Sequence, residues 1–332
     1  MRGPSVTSRT ELRPTLGSMR SLTVAALLAV LALASPALRA TDDPAARLDA
    51  MSRGFRTLDY QGVFTYEQGQ TLSSHRIAHA VIGGIEHERV VRLDGETHEV
   101  SRGGHRADCE HEGDRLLRLD PARRLAHEAA AVQRAGGIGT YYAIEHDGKE
   151  RVANRPGQRL RIVPRDPYRY GMTVVLDDAT SLLLKSETTD GAGRVLERFQ
   201  FVELQVGERL PAGELAAGAA VEPHPVRSGE APFAWTVAWL PQGFVSSGHA
   251  ARDGAGGAGP VEVRTYTDGL AVFAIFVERA EQVPSGAGVA SRGATVSYVV
   301  PRGRGHLITV VGEIPVESAQ LIANAVNCPD ED

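Results

Sequence analysis

The chain has 332 residues, 36 of them basic and 41 acidic, with a formal net charge of −5. That length is enough for two domains with cores of their own, and the acidic balance excludes nucleic acid as a partner drawn by bulk charge. Lys149 and Lys185 are the only lysines, so an acidic ligand would have to be met by Arg forks.

Taken in chain order, the first element is a leader. MRSLTVAALLAVLALASPALRA, Met19 to Ala40, has a basic start at Arg20, an apolar run from Leu22 to Leu33 and small residues after it. That pattern predicts a secretory signal peptide over residues 1–40. Cleavage is expected after Ala40, with Ala37 as the alternative, and Met19 competes with Met1 as the start. The run is short for a membrane span, and no cysteine lies near either cleavage site to carry a lipid anchor. The product is expected in the periplasm. Removing the leader's net +4 leaves a charge near −9.

Asp42-Asp43-Pro44 reads as a helix N-cap and first turn. Leu48, Met51, Phe55 and Leu58 follow at helical spacing, which predicts a helix ending near Thr57. In the next stretch Tyr60, Gly62, Phe64 and Tyr66 alternate with other residues as in a half-buried strand. HRIAH, residues 75–79, then imitates the zinc-protease spacing H-E-x-x-H. That signature needs a helix, and it needs a general base where Arg76 stands. A guanidinium does not give up its proton. Gly83-Gly84 and Asp94-Gly95 are tight-turn dipeptides between β-branched runs, so the segment predicts an antiparallel meander with His75, Ile77 and His79 on one side of a strand.

RLLRLDP (115–121) predicts another strand, and Ala122 to Gly139 a helix or a loop. Further strands are expected in RVANRPGQRLRIVP, RDPYRYG and MTVVLDDATSLLLKSETTDGAGRVLERFQFVEL, turning at Asp177-Asp178 and Asp190-Gly191. Residues 41–210 thus predict a mainly β domain of roughly ten strands and about two helices, large enough to curl into a barrel or half-barrel. Residues 211–232, rich in Ala, Gly and Pro, predict a linker. Residues 233–328 predict a small α+β domain that ends in the helix PVESAQLIANAV.

Catalytic signatures are missing. GAGGAG, residues 254–259, matches G-x-G-x-x-G in letters but is followed by Pro260 instead of a helix. The chain has no Walker A pattern, no G-x-S-x-G, no C-x-x-C and no convincing pair of carboxylates for acid/base work. Cys109 and Cys328 are the two cysteines, and a disulfide between them is open. His105 and His111 flank Cys109, which suggests either a metal site or an ordinary cluster at a strand end. Eight of the eleven histidines fall between 75 and 146, as a pH sensor or as a polar strand face. Neither an enzyme nor a resident metal or cofactor is expected. A curved sheet can enclose an apolar cavity. Its candidate lining is Phe64, Tyr66, Leu93, Val174, Leu176, Leu184 and Phe201, with Val81, Ile85, Val91 and Leu182 beside them. The alternative is that these side chains fill a solid core.

LDYQGVFTYEQG, HRIAH, VVRLDGETHEV, RVANR, RDPYRYGMTVVLDDATSLLLKS and ERFQFVEL, followed by WTVAWLPQGF, TYTDGLAVFAIFVE and TVVGEIPVESAQLIANAV, resemble the RseB/MucB family of periplasmic regulators of the envelope-stress sigma factor pathway. The resemblance runs in order over nearly the whole chain after the leader. It implies a large LolA/LolB-like curved antiparallel sheet with helices, plus a small α+β C-terminal domain. It implies binding of the periplasmic part of a single-pass anti-sigma factor of the RseA or MucA type, shielding of that factor from site-1 proteolysis, and release by lipopolysaccharide or mislocalised lipid. It also leaves room for a homodimer. Within that picture Arg89, Arg92, Arg165 and Arg169 are candidates for an anionic headgroup. Trp235, Trp239, Phe244, Tyr266 and Phe273, with Phe276, are candidate anchors for the protein partner. A lipid or lipoprotein carrier of the LolA kind is the alternative function; it would not need the second domain.

Overall fold

Pro44 starts the first helix among the described residues for a simple reason: at the first helical position its missing N–H costs nothing and its fixed φ is already helical. The computed structural model describes residues 44–95, 99–103, 137–207, 215, 235–252, 261–279, 286–303 and 305–328. The leader, RLLRLDP and Cys109 with its neighbouring histidines lie outside them. So do GAGGAG and most of the 211–232 stretch.

Helix α1 (Pro44–Thr57) is followed by β1 (Tyr60–Gln68), β2 (Thr71–Ile82), β3 (Ile85–Arg92) and β4 (Glu99–Gly103). After a short helix, α2 (Ile138–Tyr141), come β5 (Tyr142–Val152), β6 (Arg155–Pro164), β7 (Gly171–Asp177), β8 (Leu183–Thr189) and β9 (Val195–Val206). These nine strands form one antiparallel sheet in the order β4-β3-β2-β1-β9-β8-β7-β6-β5. It is two meanders joined through the pairing of β1 with β9. The expected large antiparallel sheet with few helices is therefore present, and it is open: among the described residues β4 and β5 are its two edges.

The turns follow from local chemistry. Gly83 and Gly84, with φ of 61° and 81°, close the β2–β3 hairpin so that Ile82 pairs with Ile85. Positive φ at both central residues is what a two-residue hairpin turn requires. Ala153 and Asn154 make the same left-handed pair between β5 and β6 without glycine.

One face of this first lobe is apolar. Leu48 and Met51 of α1 pack with Tyr60, Phe64, Leu160, Ile162, Leu176, Leu184 and Phe201 into a single buried core. The other face carries ion pairs that step across strands, from Glu67 to Arg198 to Glu187 to Lys185 to Glu150. A half-buried antiparallel sheet alternates in this way.

The second lobe is a six-stranded antiparallel sheet. Its strands are β11 (Val245–Arg252), β12 (Val261–Thr267), β13 (Val272–Arg279), β14 (Gly288–Arg292), β15 (Thr295–Arg302) and β16 (His306–Gly312), in the order β11-β12-β13-β16-β15-β14. Helix α3 (Val316–Asn324) packs on it, and β10 (Thr236–Val237) pairs with β17 (Val326–Asn327). Ala319, Ile322 and Ala323 of α3 are fully buried against Ile275, Ile308 and Val310. Arg302 reaches the end of α3 and donates to the carbonyls of Ala323, Asn324 and Val326, satisfying acceptors that a helix C-terminus leaves open. No helix among the described residues is long and apolar enough to cross a membrane.

Candidate functional site

His75 and His79 lie on β2, a strand, and both point to the core side with Ile77. His75 stacks on Phe64, with ring centroids 5.0 Å apart, and its Nε2 sits 2.9 Å from Ser73 Oγ. His79, 1 % exposed, stacks on Tyr60 at 4.9 Å, and its Nδ1 lies 2.8 Å from the Leu58 carbonyl oxygen. A carbonyl only accepts, so Nδ1 carries the proton there. The pair tethers the end of α1 to the sheet.

The expected cavity lining divides. Phe64, Val174, Leu176, Leu184 and Phe201 are members of the first core, with Leu182, and Tyr66 packs against it. The Tyr66 hydroxyl donates to Glu197 Oε2 at 2.8 Å. Leu93 is a correction: it lies just past the end of β3 and is 47 % exposed, because the chain turns out at Asp94-Gly95. Val81 and Val91 are half-buried, and Ile85 is exposed on the hairpin tip.

The four arginines do not form one cluster. Arg89 and Arg92 sit on β3, and Arg92 Nε donates to Asp94 Oδ1 at 3.1 Å. Arg165 is exposed beyond β6. Arg169 stands elsewhere than expected: its side chain is fully buried and its donors are spent on Asp166, Asp268 and the Gln242 carbonyl. A guanidinium so occupied is not offered to a headgroup.

The aromatic anchors behave similarly. Trp235, Phe244, Tyr266 and Phe273 belong to the second core. Tyr266 stacks on Phe273 at 5.2 Å, and the Arg264 guanidinium lies 4.4 Å from the Trp235 ring. Phe276 is half-buried. Trp239 is the exposed one, 36 % accessible, edge-on to Tyr168 of the first lobe at 5.2 Å.

The chemistry that sequence reasoning missed is the seam between the lobes. Arg169 Nε donates to Asp268 Oδ2 at 2.6 Å, and the Tyr142 hydroxyl donates to the same oxygen at 2.9 Å. The guanidinium is flanked by the rings of Tyr141 and Phe244 at 4.9 and 4.8 Å. Burial beside the Asp268 carboxylate pushes the Tyr142 phenol well above its usual range. A second contact joins the hairpin between β14 and β15 to the end of β1: Glu197 Oε1 accepts from the Ala294 amide and from Gln68 Nε2, each at 3.0 Å. Asp166 and Arg169 lie in RDPYRYG and Asp268 in TYTDG, and neither stretch carries a spacing signal that would pair it with the other.

Gly243 shows how close the seam is. A Cβ there would lie 2.4 Å from the Tyr141 ring, and its φ is +90°. Gly243→Ala is expected to destabilise the protein by about 1–3 kcal/mol through overpacking and backbone strain, read as a lower urea midpoint at unchanged slope.

The comparisons with known proteins follow this geometry. A family model described as the MucB/RseB N-terminal domain matches residues 43–219, and one described as the MucB/RseB C-terminal domain matches residues 229–327. The Sigma factor AlgU regulatory protein MucB of Pseudomonas aeruginosa is 35 % identical over 318 residues, covering 93 % of this chain and 98 % of that one. The Sigma-E factor regulatory protein RseB of Salmonella typhimurium is 30 % identical over 295 residues, 86 % of this chain and 92 % of its own. A solved complex of Pseudomonas aeruginosa MucA with MucB superposes with a TM-score of 0.72 at 31 % identity, covering 87 % of this chain and all of that one.

Proposed function

The chain belongs to the MucB/RseB family, and from that premise we propose that it restrains a sigma factor of the AlgU or sigma-E type by holding an anti-sigma factor. The partner is the periplasmic part of a single-pass protein of the MucA or RseA kind. The observation that carries this reading is that the likeness runs through both lobes to a MucB solved together with MucA. The chain works by occupancy, covering the partner so that site-1 proteolysis cannot begin. The leader over residues 1–40 would deliver it to the periplasm.

Release by lipopolysaccharide or a related lipid is the second half of the proposal. A lipid displaces a protein partner only if it binds the free state better than the complex. Acyl chains entering beside the apolar face of the first sheet would gain about 0.8 kcal/mol per buried CH₂. Arg89, Arg92 and Arg165 are the arginines proposed to meet its phosphates.

The test is calorimetric titration of the chain from Thr41 with the periplasmic segment of the MucA-type partner, repeated with lipopolysaccharide present. Binding that the lipid weakens is the expected result. Lipid binding with no response to the peptide would instead make the chain a carrier.

A further inference from the structure

Arg169 and Asp268 are unusual in that both side chains are 0 % exposed and each comes from a different lobe. The Asp268 carboxylate is fully subscribed. Oδ1 accepts from the amides of Leu270 at 3.0 Å and Ala271 at 2.8 Å, and Oδ2 accepts from Tyr142 and Arg169. Arg169 is equally committed, to Asp166 and the Gln242 carbonyl as well as Asp268, between the faces of Tyr141 and Phe244. The first-lobe contributors are Tyr141, Tyr142, Asp166 and Arg169; the second lobe supplies Gln242, Phe244 and Asp268.

A buried ion pair gains little over apolar packing, because desolvating two charges offsets their attraction, but breaking one side of it is costly. The worst arrangement is a part-opened seam, where both charges have lost a partner and neither has gained water. The low-energy choices are therefore two: fully closed, or open wide enough to hydrate both groups. Discrete alternatives of this kind are what a hinge needs to act as a switch.

We propose that Arg169 and Asp268 are a two-position clasp between the lobes, and that the closed position is the one that takes the protein partner. The second clause rests on the function proposed above; the first does not. The residues act by positioning the two sheets, with no contact to the partner required.

The experiment compares Asp268→Asn, and the double variant Asp268→Asn with Arg169→Gln, with the unaltered chain. Asparagine keeps the shape and the acceptor for the backbone amides while removing the charge. The chain's two tryptophans supply the readout. In a Trp235→Phe background Trp239, packed on Tyr168 across the seam, reports opening by its emission, and solution scattering reports the radius of gyration.

Asp268→Asn, which removes the second-lobe carboxylate paired with Arg169 and leaves it Asp166 alone as a carboxylate partner among the described residues, is expected to raise the radius, change the Trp239 emission, and weaken binding of the MucA-type segment by about 5- to 150-fold, the usual span of a coupling between two states. The double variant, with neither charge buried, is expected to recover part of both. A single variant that stays closed, or that opens while holding the segment within about twofold of the unaltered chain, overturns the proposal. Should Asp268→Asn lose its far-ultraviolet circular dichroism, the double variant decides alone: closed and binding supports the clasp, open and binding overturns it. If the unaltered chain does not bind the segment, the function proposed above fails, while scattering and emission still decide the clasp.

Discussion

Asp177→Ala is expected to cost about 3–5 kcal/mol of unfolding free energy, the range for removing one partner of a buried ion pair. Asp177 ends β7 with its side chain 1 % exposed. Its oxygens accept from Arg155 Nε and Nη2, both at 2.8 Å, and from the amide and hydroxyl of Thr180 at 2.9 and 2.7 Å. One carboxylate thus builds the β7–β8 turn and ties it to the β5–β6 hairpin. Ser181, at φ +61°, depends on the same turn. Alanine would leave Arg155 and the Thr180 amide without that acceptor together, and chemical denaturation reads the loss directly.

The same residue fixes a pH dependence. Burial alone would raise the Asp177 pKa, but the bonds from Arg155 and Thr180 outweigh it and hold the group below its ordinary 3.8. A depressed folded-state pKa contributes stability that is present above the unfolded value and lost as pH falls through the folded one. Glu187, paired with Arg198 and Lys185, is shifted the same way. Unfolding free energy is expected to be level near neutrality and to fall below about pH 4. Asp177→Asn is expected to be less stable at pH 7 and to show a shallower decline in acid.

Phe201→Ala is the second large effect, about 3–5 kcal/mol for emptying a large aromatic side chain from a core. Phe201 is 1 % exposed and meets Phe199 and Phe64 edge-on, with ring centroids 5.2 and 6.0 Å away. Gly62 makes room for the ring: a Cβ at Gly62 would stand 3.0 Å from it and 2.3 Å from the Glu203 carbonyl oxygen. Gly62→Ala should therefore be harmful by itself, by about 1–3 kcal/mol. Combining the two does not rescue either, since the backbone oxygen does not leave with the ring. A double-mutant cycle near additivity is the result to look for; strong mutual compensation would show that the ring, and not the neighbouring strand, excludes the Cβ.

The strands were legible because their signals are local. Gly83-Gly84 fixed a hairpin, Pro44 with Leu48 and Met51 fixed the helix, and alternation placed His75, Ile77 and His79 on one side of β2. What alternation cannot say is what covers that side. Trp235, Phe244, Tyr266 and Phe273 look in sequence like anchors for another protein, and in the fold they are anchors for one another, because α3 and the sheet close over them. Arg169 was misplaced for the same reason. Its partner Asp268 lies 99 residues away, and no spacing rule reaches that far. The Ala-, Gly- and Pro-rich stretch at 211–232 suggested the two-part architecture and the family resemblance suggested the proposed partner; neither pointed to the seam.

The strand order has a consequence for how the molecule assembles. β1 to β4 and β5 to β9 each pair with sequence neighbours, so either meander can zip up soon after its strands are made. The junction is different: β1 waits for β9, and Tyr66 meets Glu197 across 131 residues of chain. Loop-closure entropy must be overcome before that pairing returns anything, which makes distant strand pairing slow. Until then β1 shows an unpaired edge beside aromatic residues, the surface most prone to take up a strand from another chain. A polypeptide emerging N-terminus first spends the whole interval in that state. The last strand of the first lobe is therefore the one that ends the period of risk.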